Sequence, residues 1–190
     1  MSSSQVNFGF DPNNPTHVAI SAVFNLCING VLCYFFYQYA YKNPDLAEHG
    51  NCWAADDEDN GSLVKIGKFD NNVSEQFTKW FEFGFIICLI GLILAVVQIV
   101  QAVTRSPAIK IAVGLISCPF GCGGLAWLIA GMVLRWRHIG KVCAGDYNTS
   151  QVEADNLYMT KSGNFIQIYL ILTMCLIGTC CCAGCCFAII

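Results

Sequence analysis

The chain has 190 residues, of which 55% are hydrophobic and 12% charged, and a formal net charge of −3. Soluble domains carry about 25% charged residues, so this composition, with a mean hydropathy of +0.53, argues against an ordinary soluble domain and for a membrane protein. No basic stretch suits nucleic-acid binding.

Residues 1–17 form a polar tail without Lys or Arg. It lacks the charged start and short apolar core of a cleavable signal, so the first apolar segment is expected to direct its own insertion. Four apolar segments follow: Val18–Tyr41, Phe83–Thr104, Ile111–Leu134 and Phe165–Ile190. None contains Asp, Glu, Lys, Arg or His, and each reaches the length of about 20 residues that crosses the hydrocarbon layer as a helix. The expected fold is an all-α membrane protein, a left-handed four-helix bundle. Even parity puts both termini on one side, and the long loops 42–82 and 135–164 on the other, with a short turn at 105–110.

In the first span, Asn25 and Asn29 lie four apart and share a helix face with Ala22 and Cys33. Intramembrane amides bond across helices or line a wet path, and Gln98 and Gln101 of the second span raise the same choice. The absence of ionisable groups in the spans argues against a proton-coupled transporter or pump.

The first long loop carries Cys52, and the second carries Cys143. The other eleven of the thirteen cysteines lie within the spans, so one disulfide tying the two loops together in an oxidising compartment is the expected arrangement. Asn60, Asn72 and Asn148 each begin an Asn-X-Ser sequon in these loops. Asp56, Glu58 and Asn60 sit at the first, third and fifth positions of a calcium-like loop, but its twelfth position is Gly67 rather than a bidentate Glu. A solvated acidic turn is the better reading.

Two small-residue stripes of period 3.5 stand out in spans two and three. Gly84, Cys88, Gly91 and Ala95 mark one; Gly114, Ser117, Gly121, Gly124 and Gly131 mark the other. Small residues let helix backbones approach in a bilayer, and this period suits a left-handed crossing of about 20°, so the two stripes are expected to face each other. "SCPFGCGG" (117–124) lies within the second stripe. Its cysteines, Cys118 and Cys122, are read as packing residues rather than as metal ligands, because no span supplies His, Asp or Glu.

Trp80, Phe81, Trp136, Tyr34, Tyr37, Tyr39 and Tyr41 are placed for an interfacial aromatic belt. Arg135, Arg137 and His138 follow the third span, where they can meet anionic head groups or a partner's acidic loop. The basic residues are mostly in the long loops, which would place those loops in the cytosol. The sequons and the loop cysteines argue for the opposite side. So does the cluster Cys180, Cys181, Cys182, Cys185 and Cys186, whose juxtamembrane position suits palmitoylation of a cytosolic end. The balance favours cytosolic termini in the plasma membrane or another secretory-pathway membrane.

Four spans, a longer first outer loop, internal termini and a terminal Cys cluster resemble the tetraspan families, claudin and MARVEL proteins among them. The likeness is one of topology. The first outer loop has Cys52-Trp53 without the second Cys of claudins, and the second loop has only Cys143 where tetraspanins carry Cys-Cys-Gly.

No nucleophile–base set, phosphate loop or metal motif is present, and no cofactor is expected. The leading expectation is a non-enzymatic structural or assembly protein, acting through lateral helix packing and disulfide-tied loops. Its partners would be membrane lipids and further copies of itself or a larger membrane assembly, not nucleic acid. The alternatives are a pore-forming subunit lined by the span amides and a lipid-interacting accessory subunit.

Overall fold

A computed structural model of the chain describes residues 14–45, 51–52, 54, 72–146 and 159–189, with side chains in the last helix described as far as residue 179. Five helices make up the described structure: α1 (Pro15–Tyr41), α2 (Val73–Thr104), α3 (Pro107–Trp136), α4 (His138–Cys143) and α5 (Thr160–Ile189). No strand is present among the described residues. Four of the five helices are long and apolar enough to cross a membrane, and the all-α architecture agrees with a four-helix bundle.

The helix starts are written in local chemistry. Asn14 Oδ1 accepts the Thr16 amide at 3.0 Å, so Asn14 caps α1 and Pro15 takes the first helical position, where its missing N–H costs nothing. Asn72 Oδ1 accepts the Glu75 amide at 3.1 Å, and Glu75 stands where a capping box places its acid. α2 therefore starts ten residues before the apolar segment that begins at Phe83. It ends at Thr104, followed by Arg105, whose φ of 53° is left-handed and uncommon for a residue with a side chain. The Arg105 amide closes the last turn on the Gln101 carbonyl at 2.8 Å. Pro119 lies inside α3, which continues past it to Trp136.

The chain divides into two compact units. The first joins Met1–Tyr34 to Phe85–Gly123. Here Ala22, Cys88, Ala95 and Val113 are buried, while Ile20, Phe24, Val103, Ile111 and Leu115 are more than 60% exposed, as expected of side chains that meet lipid. Gly91 gives the Asn29 amide room: a Cβ at Gly91 would stand 2.7 Å from Asn29 Oδ1.

The second unit joins Phe35–Gly84 to Gly124–Ile190 and holds an aromatic core. Trp80 and Trp127 stack at 4.5 Å with planes 13° apart. Each indole donates to the other's backbone carbonyl, Trp80 Nε1 to Trp127 at 3.1 Å and Trp127 Nε1 to Trp80 at 3.0 Å. This pairing satisfies both buried N–H groups. The fully buried Phe36 ring meets Trp80, Trp127, Phe165 and Tyr169 edge-on at 5.3 to 5.7 Å.

These contacts correct two expectations. Trp80 and Phe81 are 4% and 0% exposed; they form core, not interfacial belt, whereas Tyr34, Tyr37, Tyr41 and Trp136 are exposed. The small-residue stripes of α2 and α3 also do not form a mutual seam. A Cβ at Gly84 would stand 2.6 Å from Trp127 and 2.8 Å from Phe36, and one at Gly131 would stand 2.6 Å from Trp80. These glycines are sockets for rings. At Gly114, Gly121 and Gly124 an added Cβ meets nothing within 4 Å. A glycine makes a recess, and periodicity cannot say whether a backbone, a ring or nothing within the same chain fills it.

The sockets can be tested directly. Gly84→Ala forces Trp127 and Phe36 to move and should cost about 1–3 kcal/mol, the usual penalty of overpacking. Gly121→Ala meets open space and should be neutral or slightly stabilising, since Ala exceeds Gly in helix propensity by about 1 kcal/mol. Thermal unfolding in detergent, followed by tryptophan fluorescence, separates the two; equal effects would refute the socket assignment.

Candidate functional site

The second unit gathers its polar chemistry where the loops leave the helices. Cys52 and Cys143 are disulfide-bonded across 91 positions, with Cα atoms 6.0 Å apart. The bond does more than join two loops. The Cys52 carbonyl accepts the Val73 and Ser74 amides at 3.1 and 3.4 Å, and the Ser74 hydroxyl accepts the Cys52 amide at 2.6 Å. The Cys143 carbonyl accepts the Met159 amide at 2.7 Å, just before α5. The covalent link therefore anchors the first turn of α2 and the residue leading into α5, satisfying amides that a helix start leaves open.

α5 receives a second cap from far away in sequence. Asp45 accepts the Ser162 amide at 2.7 Å and the Lys161 amide at 3.3 Å, which puts a carboxylate at the positive end of the helix dipole. Asn43 Oδ1 accepts the Asp45 amide at 3.0 Å and the Ser162 hydroxyl at 3.2 Å. Asn43, Asp45 and Ser162 are all buried.

Arg135 is the largest buried polar side chain, 1% exposed. Its Nη1 and Nη2 grip both Asp146 oxygens at 2.6 and 2.8 Å. Nη2 also donates to Gln167 Oε1 at 2.6 Å, and Nε donates to the Gly163 carbonyl at 3.0 Å. One guanidinium thus ties the end of α3 to the turn after α4 and to the first two turns of α5. The planar fork of Arg suits this bidentate geometry, as the point charge of Lys would not. Arg135 is therefore a structural tie and not a head-group reader, because it has no face left for lipid. Arg137 is exposed and stands at the N-cap of α4, which sequence reading treats as loop; His138 is its first residue. Close approaches hold this corner together: a Cβ at Gly140 would stand 1.8 Å from the Leu134 carbonyl oxygen, and one at Gly163 would stand 2.5 Å from Ala144 Cβ.

The remaining sequence candidates are placed as follows. Asn29 Nδ2 donates to the Asn25 carbonyl of its own helix at 2.8 Å, so it does not bond across helices as expected, although its carbonyl oxygen lies over Gly91. Asn25 is exposed, and Gln98 and Gln101 are half-buried. Cys118 and Cys122 are exposed and unbonded, with no group of three His, Cys, Asp or Glu side chains suited to a metal among the described residues. Asn72 is the α2 cap, and the hydroxyl of its sequon, Ser74, is spent on Cys52. Asp56, Glu58, Asn60 and Asn148 lie outside the described residues, as do the side chains of Cys180, Cys181, Cys182, Cys185 and Cys186.

Sequence reading missed Asp45, Asn43, Asp146 and Gln167. Asp146 carried a faint signal, being the first acid after Arg135. Asp45 carried none, since its partner amide lies 117 positions away.

Comparison with protein-family models, curated proteins and solved structures finds no match to this chain. The likeness to claudin and MARVEL proteins accordingly has no family support, while the four spans stand.

A buried charge stripped of its partner costs about 3–5 kcal/mol. Asp146 is 37% exposed, so Asp146→Ala should cost less, about 2 kcal/mol after discounting for solvent screening. Arg135→Met should cost less again, because Asp146 can rehydrate. Adding Arg135→Met to Asp146→Ala should restore part of the loss. A strictly additive double-mutant cycle in thermal unfolding would refute the tie. Removing the disulfide through Cys52→Ser with Cys143→Ser should destabilise by at most about 4.7 kcal/mol, the chain-entropy value for a loop of roughly this length, with the inserted spans lowering it. Peptide mapping without reductant should recover Cys52 linked to Cys143.

Proposed function

We propose that this multi-pass membrane protein is a non-enzymatic structural or assembly component that associates laterally through α3. The observation that carries the reading is the open small-residue face at Gly114, Gly121 and Gly124. In a bilayer, helix association relies on close packing over such residues. Within this chain the other glycines of the two stripes, Gly84, Gly91 and Gly131, are already occupied by Trp127 and Phe36, by Asn29 and by Trp80. The α3 face is the part of the pattern still available to a second helix. The tied loop end of the second unit supports the same role, since a fixed scaffold presents a helix face at a low entropic cost of association.

In this reading the termini are cytosolic, the long loops lie in the oxidising compartment that forms the Cys52–Cys143 bond, and the Cys cluster of 180–186 is available for palmitoylation. The competing reading, a pore lined by span amides, has Asn25 as its exposed α1 candidate.

Native electrophoresis and photobleaching step counts in native nanodiscs test the proposal. The wild-type chain should run as an oligomer or with partners. Gly121→Leu combined with Gly124→Leu should shift it toward monomer without lowering its unfolding temperature. A wild-type chain that is monomeric and alone sinks the reading. Solute or ion flux that Asn25→Leu abolishes would establish the pore instead.

A further inference from the structure

We propose that Asn72 is an N-glycan acceptor that the fold itself withdraws, so that the Cys52–Cys143 bond controls how much of it is modified. The inference rests on the reading that the long loops lie in the oxidising compartment, where oligosaccharide transfer also takes place.

Transfer makes two demands on the chain. Asn72 Nδ2 must reach the C1 carbon of a lipid-diphosphate oligosaccharide. The Nδ2–C1 bond forms as the C1–O bond to the diphosphate breaks, the amide gives up one proton, and the lipid diphosphate leaves. The hydroxyl of Ser74 must also be open, because it completes the recognition signal. Acceptors of this kind lie on surface loops, where both groups can be reached.

The folded chain withholds the second group. Val73 and Ser74 open α2, Ser74 is 1% exposed, and its hydroxyl accepts the Cys52 amide at 2.6 Å. The Cys52 carbonyl in turn accepts the Val73 and Ser74 amides at 3.1 and 3.4 Å. One residue therefore holds both the hydroxyl and the backbone of the sequon. Cys52 is itself fully buried and bonded to Cys143, which is fully buried too. Helical backbone, burial and hydrogen bonding close the same tripeptide, and Cys52 makes the contacts that hold it.

Closure works in one direction only. Asn72 Oδ1 accepts the Glu75 amide at 3.1 Å, and transfer takes a hydrogen from Nδ2 while leaving Oδ1 in place. A chain modified first can still start α2 with the same cap. A chain folded first no longer offers Ser74. Two populations result, and opening of the Cys52 contacts sets their ratio.

The test expresses the full chain in cells with a secretory pathway, beside Cys52→Ser with Cys143→Ser and beside Asp146→Ala. Occupancy of Asn72 is read by peptide mass spectrometry after enzymatic glycan release, which converts a modified Asn to Asp. The native chain should be partly modified. The double Cys variant should raise the modified-to-unmodified ratio by about twofold or more, within the ceiling that the bond's closure entropy sets on opening of the segment. Asp146→Ala, which loosens the same unit and keeps the bond, should stay near the native ratio. Equal ratios in the native chain and the double Cys variant overturn the proposal, and so does an Asp146→Ala ratio that matches the double Cys variant. A C-terminal tag probed in sealed microsomes separates the premise from the inference. A lumenal tag refutes the orientation, and the proposal with it; a cytosolic tag with Asn72 unmodified in every variant overturns the proposal alone.

Discussion

The second unit depends on a guanidinium that water cannot reach. Desolvating Arg135 is favourable only if its donors are met, and the three groups that meet them come from separate parts of the chain: Asp146 after α4, and Gly163 and Gln167 at the start of α5. A buried ion pair is seldom a large net source of stability, because desolvation offsets attraction. What it imposes is geometry: the charge is tolerable only when α5 and the turn after α4 stand where they do. The disulfide and the Asp45 cap act on the same elements, so a covalent bond, a salt bridge and a carboxylate cap each constrain the entry to α5.

Much of the architecture is legible without coordinates because it follows from one-dimensional signals. Uncharged runs of sufficient length mark the spans, and two unpaired loop cysteines among thirteen mark the Cys52–Cys143 bond. The site was less legible. Arg135 reads from sequence as a residue at a helix end that can meet head groups or a partner's acidic loop; only the fold reveals that the chain turns back through α4 and covers it. Trp80 and Phe81 read as interfacial because α2 continues well beyond its apolar core, a continuation written in the Asn72 cap and not in hydropathy. Asp45 is invisible because nothing local marks a residue that caps a helix begun more than a hundred positions later.

The two units illustrate different uses of small residues. In the second, Gly84 and Gly131 receive indole and phenyl rings, so packing is small against large, and its specificity comes from ring shape and the reciprocal Trp80–Trp127 hydrogen bonds. In the first, Gly91 receives an amide whose donor is returned to its own helix at the Asn25 carbonyl. Both arrangements spare the membrane interior an unsatisfied polar group. The recesses on α3 remain after these needs are met.

The Cys52–Cys143 link also carries a constraint in time. A ribosome delivers residue 52 long before residue 143, and α2 and α3 are made between them. The bond cannot close until both intervening helices have been threaded through the bilayer, and the Asp45 cap and the Arg135 contacts to Gly163 and Gln167 must wait longer still, for the arrival of α5. Oxidation thus reports that insertion has passed its third span, and burial of Arg135 reports that it has reached the fourth. A chain arrested earlier would expose a thiol and a cation of the kind that membrane quality control can recognise.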